Sequence, residues 1–419
     1  MRRTKLFIKT HRDAPGDEES RGTQVLIQAG FISKEMAGVY SYLPLGLAVL
    51  NNISRIVREE MDAIGGTEVL MSTLQNKELW QATDRWDDKK IDNWFKSQLK
   101  NGTEVGIGLT HEEPLINALK GFVSSYKDLP VYPYQIQTKF RNELRAKSGL
   151  LRGREFLMKD LYSFSSSQAE HDKFYNEVAP AAYMRIYERL GIGDKTYKCF
   201  ASGGYFSKYS LEFQTLSEVG EDTIYLDKAG KMAVNKEVYS DEVLAEHGFK
   251  KDALEEVRAV EVGNIFPLGS HYSDALGLYF TDDKGERKSI VMGCYGIGIS
   301  RLMGLLAELF ADDSGLVWPA SVAPFSVYLI GIGEKAQKQA DSLYTQLQKA
   351  GISVLYDDRD ERPGEMFADA DLFGIPARVV VSDKSLEAGG VELKMRAGGE
   401  PQIVKTDAVI QTLAKPLQA

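Results

Sequence analysis

Only two cysteines, Cys199 and Cys294, occur in 419 residues, which excludes a disulfide framework and any CxxC zinc site. The five histidines stand far apart, at 11, 111, 171, 247 and 271, so a metal ion would have to be held by oxygen ligands. No apolar run approaches the ~20 residues a membrane helix requires. Residues 1–10 are basic and carry no apolar stretch of the secretion-signal kind. A cytoplasmic-type chain with no membrane partner is the expectation. Thirteen prolines and 38 glycines are spread without period, which excludes collagen-like and low-complexity architectures. An excess of positive charge is missing too. With 51 basic against 60 acidic residues the net charge is -9, which argues against a protein that coats nucleic acid nonspecifically.

The length exceeds what one core ordinarily organises, so two or three units are expected. Hydrophobic residues at 43% and charged residues at 26% are those of ordinary globular domains. Against the acidic background one segment stands out. Residues 139–159 hold seven cations (Lys139, Arg141, Arg145, Lys147, Arg152, Arg154, Lys159) and two anions (Glu143, Glu155), a local +5 that calls for a polyanion or for solvated loop charge.

Periodicity places this segment on strands. Across 134–141, Tyr134, Ile136, Thr138 and Phe140 alternate with Gln135, Gln137, Lys139 and Arg141, which predicts a strand with one polar face. A second run, 154–162, puts Arg154, Phe156, Met158, Asp160 and Tyr162 on one face, and the two read as an antiparallel hairpin with a long basic loop. Upstream, Leu50, Ile53, Ile56, Val57, Met61 and Ile64 recur at helical spacing before Gly65-Gly66, and a strand is expected over 67–74. Residues 289–295 read as a strand and 296–310 as a helix with Leu302, Leu305, Leu306 and Leu309 on one stripe. The stretch 226–258 has 14 charged residues among 33 and reads as a surface excursion without a core. Beyond Pro319 and Pro324, strands at 326–332, 353–356 and 378–382 alternate with helices at 334–350 and 365–373, which predicts a small α/β domain with a mixed or parallel sheet.

Several groups in these elements carry chemistry. Arg141 and Glu143 share a strand face, where a guanidinium can grip phosphate and a carboxylate can accept from an adenine amino group. A salt bridge on a solvated sheet face is the bland reading of such a pair. Arg152 and Arg154 could clamp further phosphate oxygens. Arg301, in the first turn of its helix, opposes the helix dipole unless an anion lies beside it. Thr110-His111-Glu112, after the Gly106-Ile-Gly108 turn, offers a hydroxyl and a carboxylate that could hold a small ammonium, although a TxE triplet is common by chance.

Together these segments resemble the class II aminoacyl-tRNA synthetases, and among them the prolyl-tRNA synthetase family, over nearly the whole chain. The resemblance rests on Gln28-Ala-Gly-Phe-Ile32, Gly38-Val-Tyr-Ser-Tyr-Leu-Pro-Leu-Gly46 and the TxE triplet. It extends to Gln137-Thr-Lys-Phe-Arg-Asn-Glu143 with Arg152-Gly-Arg-Glu-Phe-Leu-Met-Lys-Asp160 (motif 2), to Met292-Gly-Cys-Tyr-Gly-Ile-Gly298 with Arg301 (motif 3), and to Val354-Leu-Tyr-Asp-Asp-Arg-Asp-Glu-Arg-Pro-Gly364. The chain departs from the family pattern at Ser72, where motif 1 usually has proline, at Leu211 and Asn264, where histidines are usual, and at Ala146 and Lys147 in the motif 2 loop.

What the resemblance implies is an α+β protein with an antiparallel catalytic sheet of six or seven strands (1–225 and 259–320) and a small α/β anticodon-binding domain (321–419). Residues 226–258 would stand where many relatives carry an editing domain. It also implies a homodimer that joins proline to ATP as prolyl-adenylate and passes the prolyl group to the proline tRNA. By carry-over Arg141 meets the α-phosphate, Arg152 and Arg301 the γ-phosphate, Glu143 the adenine amino group and Phe156 the adenine ring. Mg²⁺ would bridge phosphate oxygens near Glu212 and Gln214. Thr110 and Glu112 would hold the proline ammonium, with Met158, Asp160 and Cys294 lining its pocket, and Arg145, Arg359, Glu361 and Arg362 would meet the tRNA. A catalytically silent sensor of synthetase ancestry and a sister enzyme for another amino acid are the competing readings.

Overall fold

A computed structural model describes every residue except Ala14, Asp17, Lys147 and 415–419. The chain divides into two compact units, Ala37–Val39 with Ser54–Leu302, and Met1–Met36, Tyr40–Ile53 with Met303–Ala419. This division differs from the expected boundaries. Residues 1–36 and 303–320 cluster with the carboxy-terminal part, because polar contacts such as Thr4 Oγ1 to Asp358 (2.8 Å) and Thr10 Oγ1 to Asp369 (2.7 Å) tie the early chain to it.

The larger unit is built on a nine-stranded sheet. Its strands are β1 (Thr67–Glu68), β2 (Pro133–Phe140), β3 (Glu155–Ser165), β4 (Thr196–Ser202), β5 (Tyr209–Leu216), β6 (Asp222–Asp227), β7 (Met232–Asn235), β8 (Glu255–Gly269) and β9 (Val291–Gly298). They lie in the order β5-β4-β7-β6-β8-β9-β3-β2-β1, with β5 also pairing β8. Nine strands replace the six or seven expected, since β6 and β7 come from sequence that offers little apolar material of its own. The stretch 226–258 is therefore no surface excursion. Leu226 and Ala233 are buried against Cys199, Ile224 and Ala259, so neighbouring strands complete a core that this segment could not form alone. The strand expected over 67–74 is also corrected: pairing ends at Glu68, and Leu74–Asn76 joins a separate three-stranded sheet with Lys96–Gln98 and Glu104–Ile107.

The hairpin of β2 and β3 forms as the alternation requires, with Lys139 opposite Phe156, Gln137 opposite Met158 and Gln135 opposite Asp160. Its polar face is the buried one. Gln135, Gln137 and Lys139 are buried, whereas Ile136, Thr138 and Phe140 are partly exposed. Such an inversion is costly unless its polar groups find partners: Gln135 and Lys139 donate to Asp160 and Gln137 donates to the Met71 carbonyl, which places hydrogen-bonding side chains beneath the site.

In the smaller unit, β10 (Val327–Ile332), β11 (Val354–Asp357), β12 (Ala377–Ser382), β13 (Val391–Met395) and β14 (Gln402–Val404) form a sheet in the order β11-β10-β12-β13-β14. The first three strands are parallel and the last two antiparallel, the mixed sheet expected. Continuous apolar runs suit strands covered on both faces. Helix α1 (Glu334–Lys349) supplies Ala336, Ala340, Leu343 and Leu347 as one stripe to this core, and Gly351 beyond its end takes a left-handed φ of 76° that a side chain would resist.

Candidate active site

A cavity of about 400 Å³ lies over β2, β3, β8 and β9 in the larger unit. Of the residues singled out in the sequence, Thr110, Arg141, Glu143, Arg152, Phe156, Met158, Asp160, Cys294 and Arg301 line it. Four elements distant in sequence thus converge, because side chains two apart on β3 share one face of the sheet.

The three arginines differ in their company. Arg152 Nε and Nη2 both donate to one oxygen of Glu143 (3.0 and 2.8 Å), and Nη1 donates to Glu221 (3.0 Å). Arg301 Nη1 donates to the Glu261 carboxylate (2.8 Å) and carbonyl (2.7 Å), and Nε to the Leu151 carbonyl (2.8 Å). That ion pair, with no ligand required, answers the unfavourable position of Arg301 in its helix. Among the described residues Arg141 has no carboxylate partner. Its guanidinium carbon lies 5.3 Å from the centre of the Phe156 ring, and its buried Nε makes no hydrogen bond. An anion acceptor is the group missing from that position.

Beneath the cavity a buried polar network fixes the other end. Lys139 Nζ is 2.7 Å from His111 Nδ1 and 2.9 Å from Asp160 Oδ2, and Tyr162 and Gln135 donate to the same oxygen. Burial and the neighbouring Lys139 lower the His111 pKa to about 4, so a neutral ring accepts from Lys139 through Nδ1 and donates through Nε2 to the Ser72 carbonyl (3.0 Å). Burial works to raise the Asp160 carboxyl, yet Lys139, His111 and Gln135 hold it below the ordinary carboxylate range. Asp160 lines the cavity, and among the described residues its buried Oδ1 has no partner.

Glu112 stands differently from the expectation. It is fully buried behind Thr110, whose hydroxyl donates to it, and Arg85 holds its other side at 3.2 Å. As the side chains stand, only Thr110 of the pair faces the cavity. Glu212 and Gln214 are also set back: Glu212 accepts from Gln214 (2.9 Å), Asn235 (3.1 Å) and Asn264 (3.2 Å). Burial, and then Glu261, push its carboxyl well above the usual range. Leu211, one residue before Glu212, takes the opposite face of β5 and is not part of the lining. Asn264 does line it, bridging Glu212 and Glu261 (3.1 Å). Arg145 is exposed on the loop after β2, and Lys147 lies outside the described residues. In the smaller unit Arg359 is tied to Asp357 (2.7 Å) and Asp369 (2.8 Å), while Glu361 and Arg362 are exposed. Sequence reasoning missed Glu221, Asp222 and Glu261 in the cavity, whose partners come from a loop (Arg152), another strand (Gln214) and a helix (Arg301); the Gly220-Glu221-Asp222 turn was a local signal for the first two.

This fold and site are those of a class II aminoacyl-tRNA synthetase. Residues 94–310 match the tRNA synthetase class II core domain (G, H, P, S and T), and residues 326–415 match an anticodon binding domain. The chain belongs to the proline–tRNA ligase family. It is 34% identical to the proline–tRNA ligase of Geobacillus sp. (strain WCH70), with all of both chains covered, and 37% identical to that of Phenylobacterium zucineum (strain HLK1), with 99% of this chain and 100% of that one covered. A crystal structure of prolyl-tRNA synthetase from Cryptosporidium parvum, complexed with L-proline and AMP, shares the fold at a TM-score of 0.75 and 19% identity, covering 95% of this chain and 74% of that one.

Proposed function

We infer that the protein activates proline with ATP and charges the proline tRNA. A proline carboxylate oxygen bonds to the α-phosphorus of ATP as the bond to pyrophosphate breaks, and the ribose hydroxyl at the tRNA 3′ end then takes the prolyl group and releases AMP. Because the attacking carboxylate is already ionised at neutral pH, no protein nucleophile is needed, and catalysis reduces to positioning and charge neutralisation. One observation carries the reading: among the described residues Arg141 has no carboxylate partner and its Nε no hydrogen bond, in a cavity where Arg152 and Arg301 are held by carboxylates. Arg141 would meet the α-phosphate, Phe156 the adenine ring and Glu143 its amino group. Thr110 and the free oxygen of Asp160 offer acceptors for the proline ammonium, beside Met158 and Cys294.

Residues suited to Mg²⁺ adjoin this cavity. Asp222 and Glu261 line it, and the amide oxygens of Gln214 and Asn264 lack partners, an all-oxygen set of the kind a hard cation takes. Among the described residues no group of three or more carboxylate, imidazole or thiol side chains could by itself hold a metal ion, which suits an ion shared with the nucleotide phosphates. Bound there, Mg²⁺ would neutralise phosphate charge. A homodimer is proposed on the family resemblance. Among the described residues no helix is long and apolar enough to cross a membrane; a cytoplasmic setting is proposed, beside the tRNA it charges.

The test is ATP–pyrophosphate exchange across the amino acids. Exchange with proline is expected; exchange only with a different amino acid would establish a sister enzyme, and none at all a silent sensor.

A further inference from the structure

Among the cavity carboxylates outside the motifs is Glu221, at the turn leading into β6. It accepts from Arg152 Nη1 at 3.0 Å through one oxygen and from the Ser148 hydroxyl through the other, so it ties the loop between β2 and β3 across the cavity mouth. Arg301 lines the same cavity and adds its field to that of Arg152. Against the pull of partial burial, Ser148, Arg152 and then Arg301 hold the Glu221 carboxyl below its usual range. Glu221 thus answers Arg152, one of the two cations assigned above to the terminal phosphate, while Glu261 holds the other.

We propose that Glu221 is a built-in stand-in for the γ-phosphate of ATP: it keeps Arg152 poised in the free site and must be displaced for the triphosphate to seat. The exchange is local. Arg152 keeps Glu143 through Nε and Nη2, and only Nη1 changes partner. Glu221 can swing clear, since its side chain is 44% exposed and is held by two hydrogen bonds, from Arg152 and Ser148. A terminal phosphate carries more charge and more acceptor oxygens than a carboxylate, so it wins the guanidinium where a nucleotide without that group cannot. The site therefore favours ATP over AMP through a competitor as well as through an attraction, a repulsive element of the kind specificity often uses.

This inference rests on the cavity being the ATP site, and the experiment separates the two. Dissociation constants for ATP and for AMP, measured by calorimetry without proline, are compared in the wild type, Glu221→Gln and Glu221→Ala. Relief of the competitor should tighten ATP roughly 3- to 10-fold, within what one exposed charge pair supplies, and move AMP less than about twofold. Unchanged or weakened ATP binding in both variants would make Glu221 a mere staple of the loop and overturn the proposal. A wild type that binds neither nucleotide would overturn the ATP site itself.

Discussion

Arg141 and Lys159 have no carboxylate in hydrogen-bonding reach among the described residues, and they meet that condition in opposite ways. Arg141 faces the cavity, placed to meet phosphate. Arg141→Ala should lower proline-dependent pyrophosphate exchange about 10²- to 10³-fold, the usual loss for one contact made to developing charge, with no change in thermal unfolding; near-normal exchange would sink its assignment. Lys159 points to the other side of β3 and is fully buried, donating to the Tyr183 hydroxyl (2.7 Å) and the Tyr295 carbonyl (3.0 Å). Burial lowers its pKa from 10.5 to about 7. Between those values the unfolded chain holds a proton that the folded chain has lost, so this group makes stability rise with pH, and below about 7 its full penalty applies. Lys159→Met should remove that rise, seen by urea unfolding at about pH 7 and about pH 9.5. Equal slopes for variant and wild type would show that Lys159 keeps an ordinary pKa.

Elements differ in how far their sequence reveals them. The β2–β3 hairpin was legible because its period-two pattern is local, and the stripe of α1 because four apolar residues repeat at helical spacing. Residues 226–258 were not legible as strands, since Leu226 and Ala233 acquire a core only from β4 and β8. Nor could pattern show that Arg85 holds Glu112, or that Glu221 and Glu261 occupy the arginines: those pairings join segments far apart in the chain. One further element is fixed by a close approach. In the strand Glu104–Ile107, a Cβ on Gly106 would lie 2.0 Å from the ring of Trp94, which is buried against Trp80 at 4.1 Å between ring centres. Gly106→Ala should cost about 1–3 kcal/mol, as overpacking does, with altered tryptophan fluorescence; an unshifted urea midpoint would mean that the ring yields freely.

At the scale of the molecule, proline activation and tRNA recognition are assigned to different units. Arg362→Ala, on an exposed residue beside the second strand of the smaller unit's sheet, should leave pyrophosphate exchange intact and weaken aminoacylation, with a KM for tRNA raised several-fold; equal loss in both assays would contradict a role in binding tRNA. The alignment with the Geobacillus relative runs over 570 positions against the 419 residues here, and 226–258 holds only strand segments of the central sheet and the short helix Asp241–Glu246 with its turns. A pocket sized for proline discriminates against smaller alanine by only ~1–3 kcal/mol per missing methylene. Purified protein should therefore form some alanyl-adenylate and leave preformed alanyl-tRNA intact; rapid enzyme-dependent deacylation would refute this. The strand β3 bears on how such a gene can change. Phe156, Met158 and Asp160 face the cavity while Lys159 faces Tyr183 behind the sheet, so the loss of a single codon inside 155–165 would exchange the two sets. Substitutions along β3 can accumulate one at a time, but in a library of in-frame codon deletions this stretch should be empty among the survivors, whereas the turn at 228–231 should be populated.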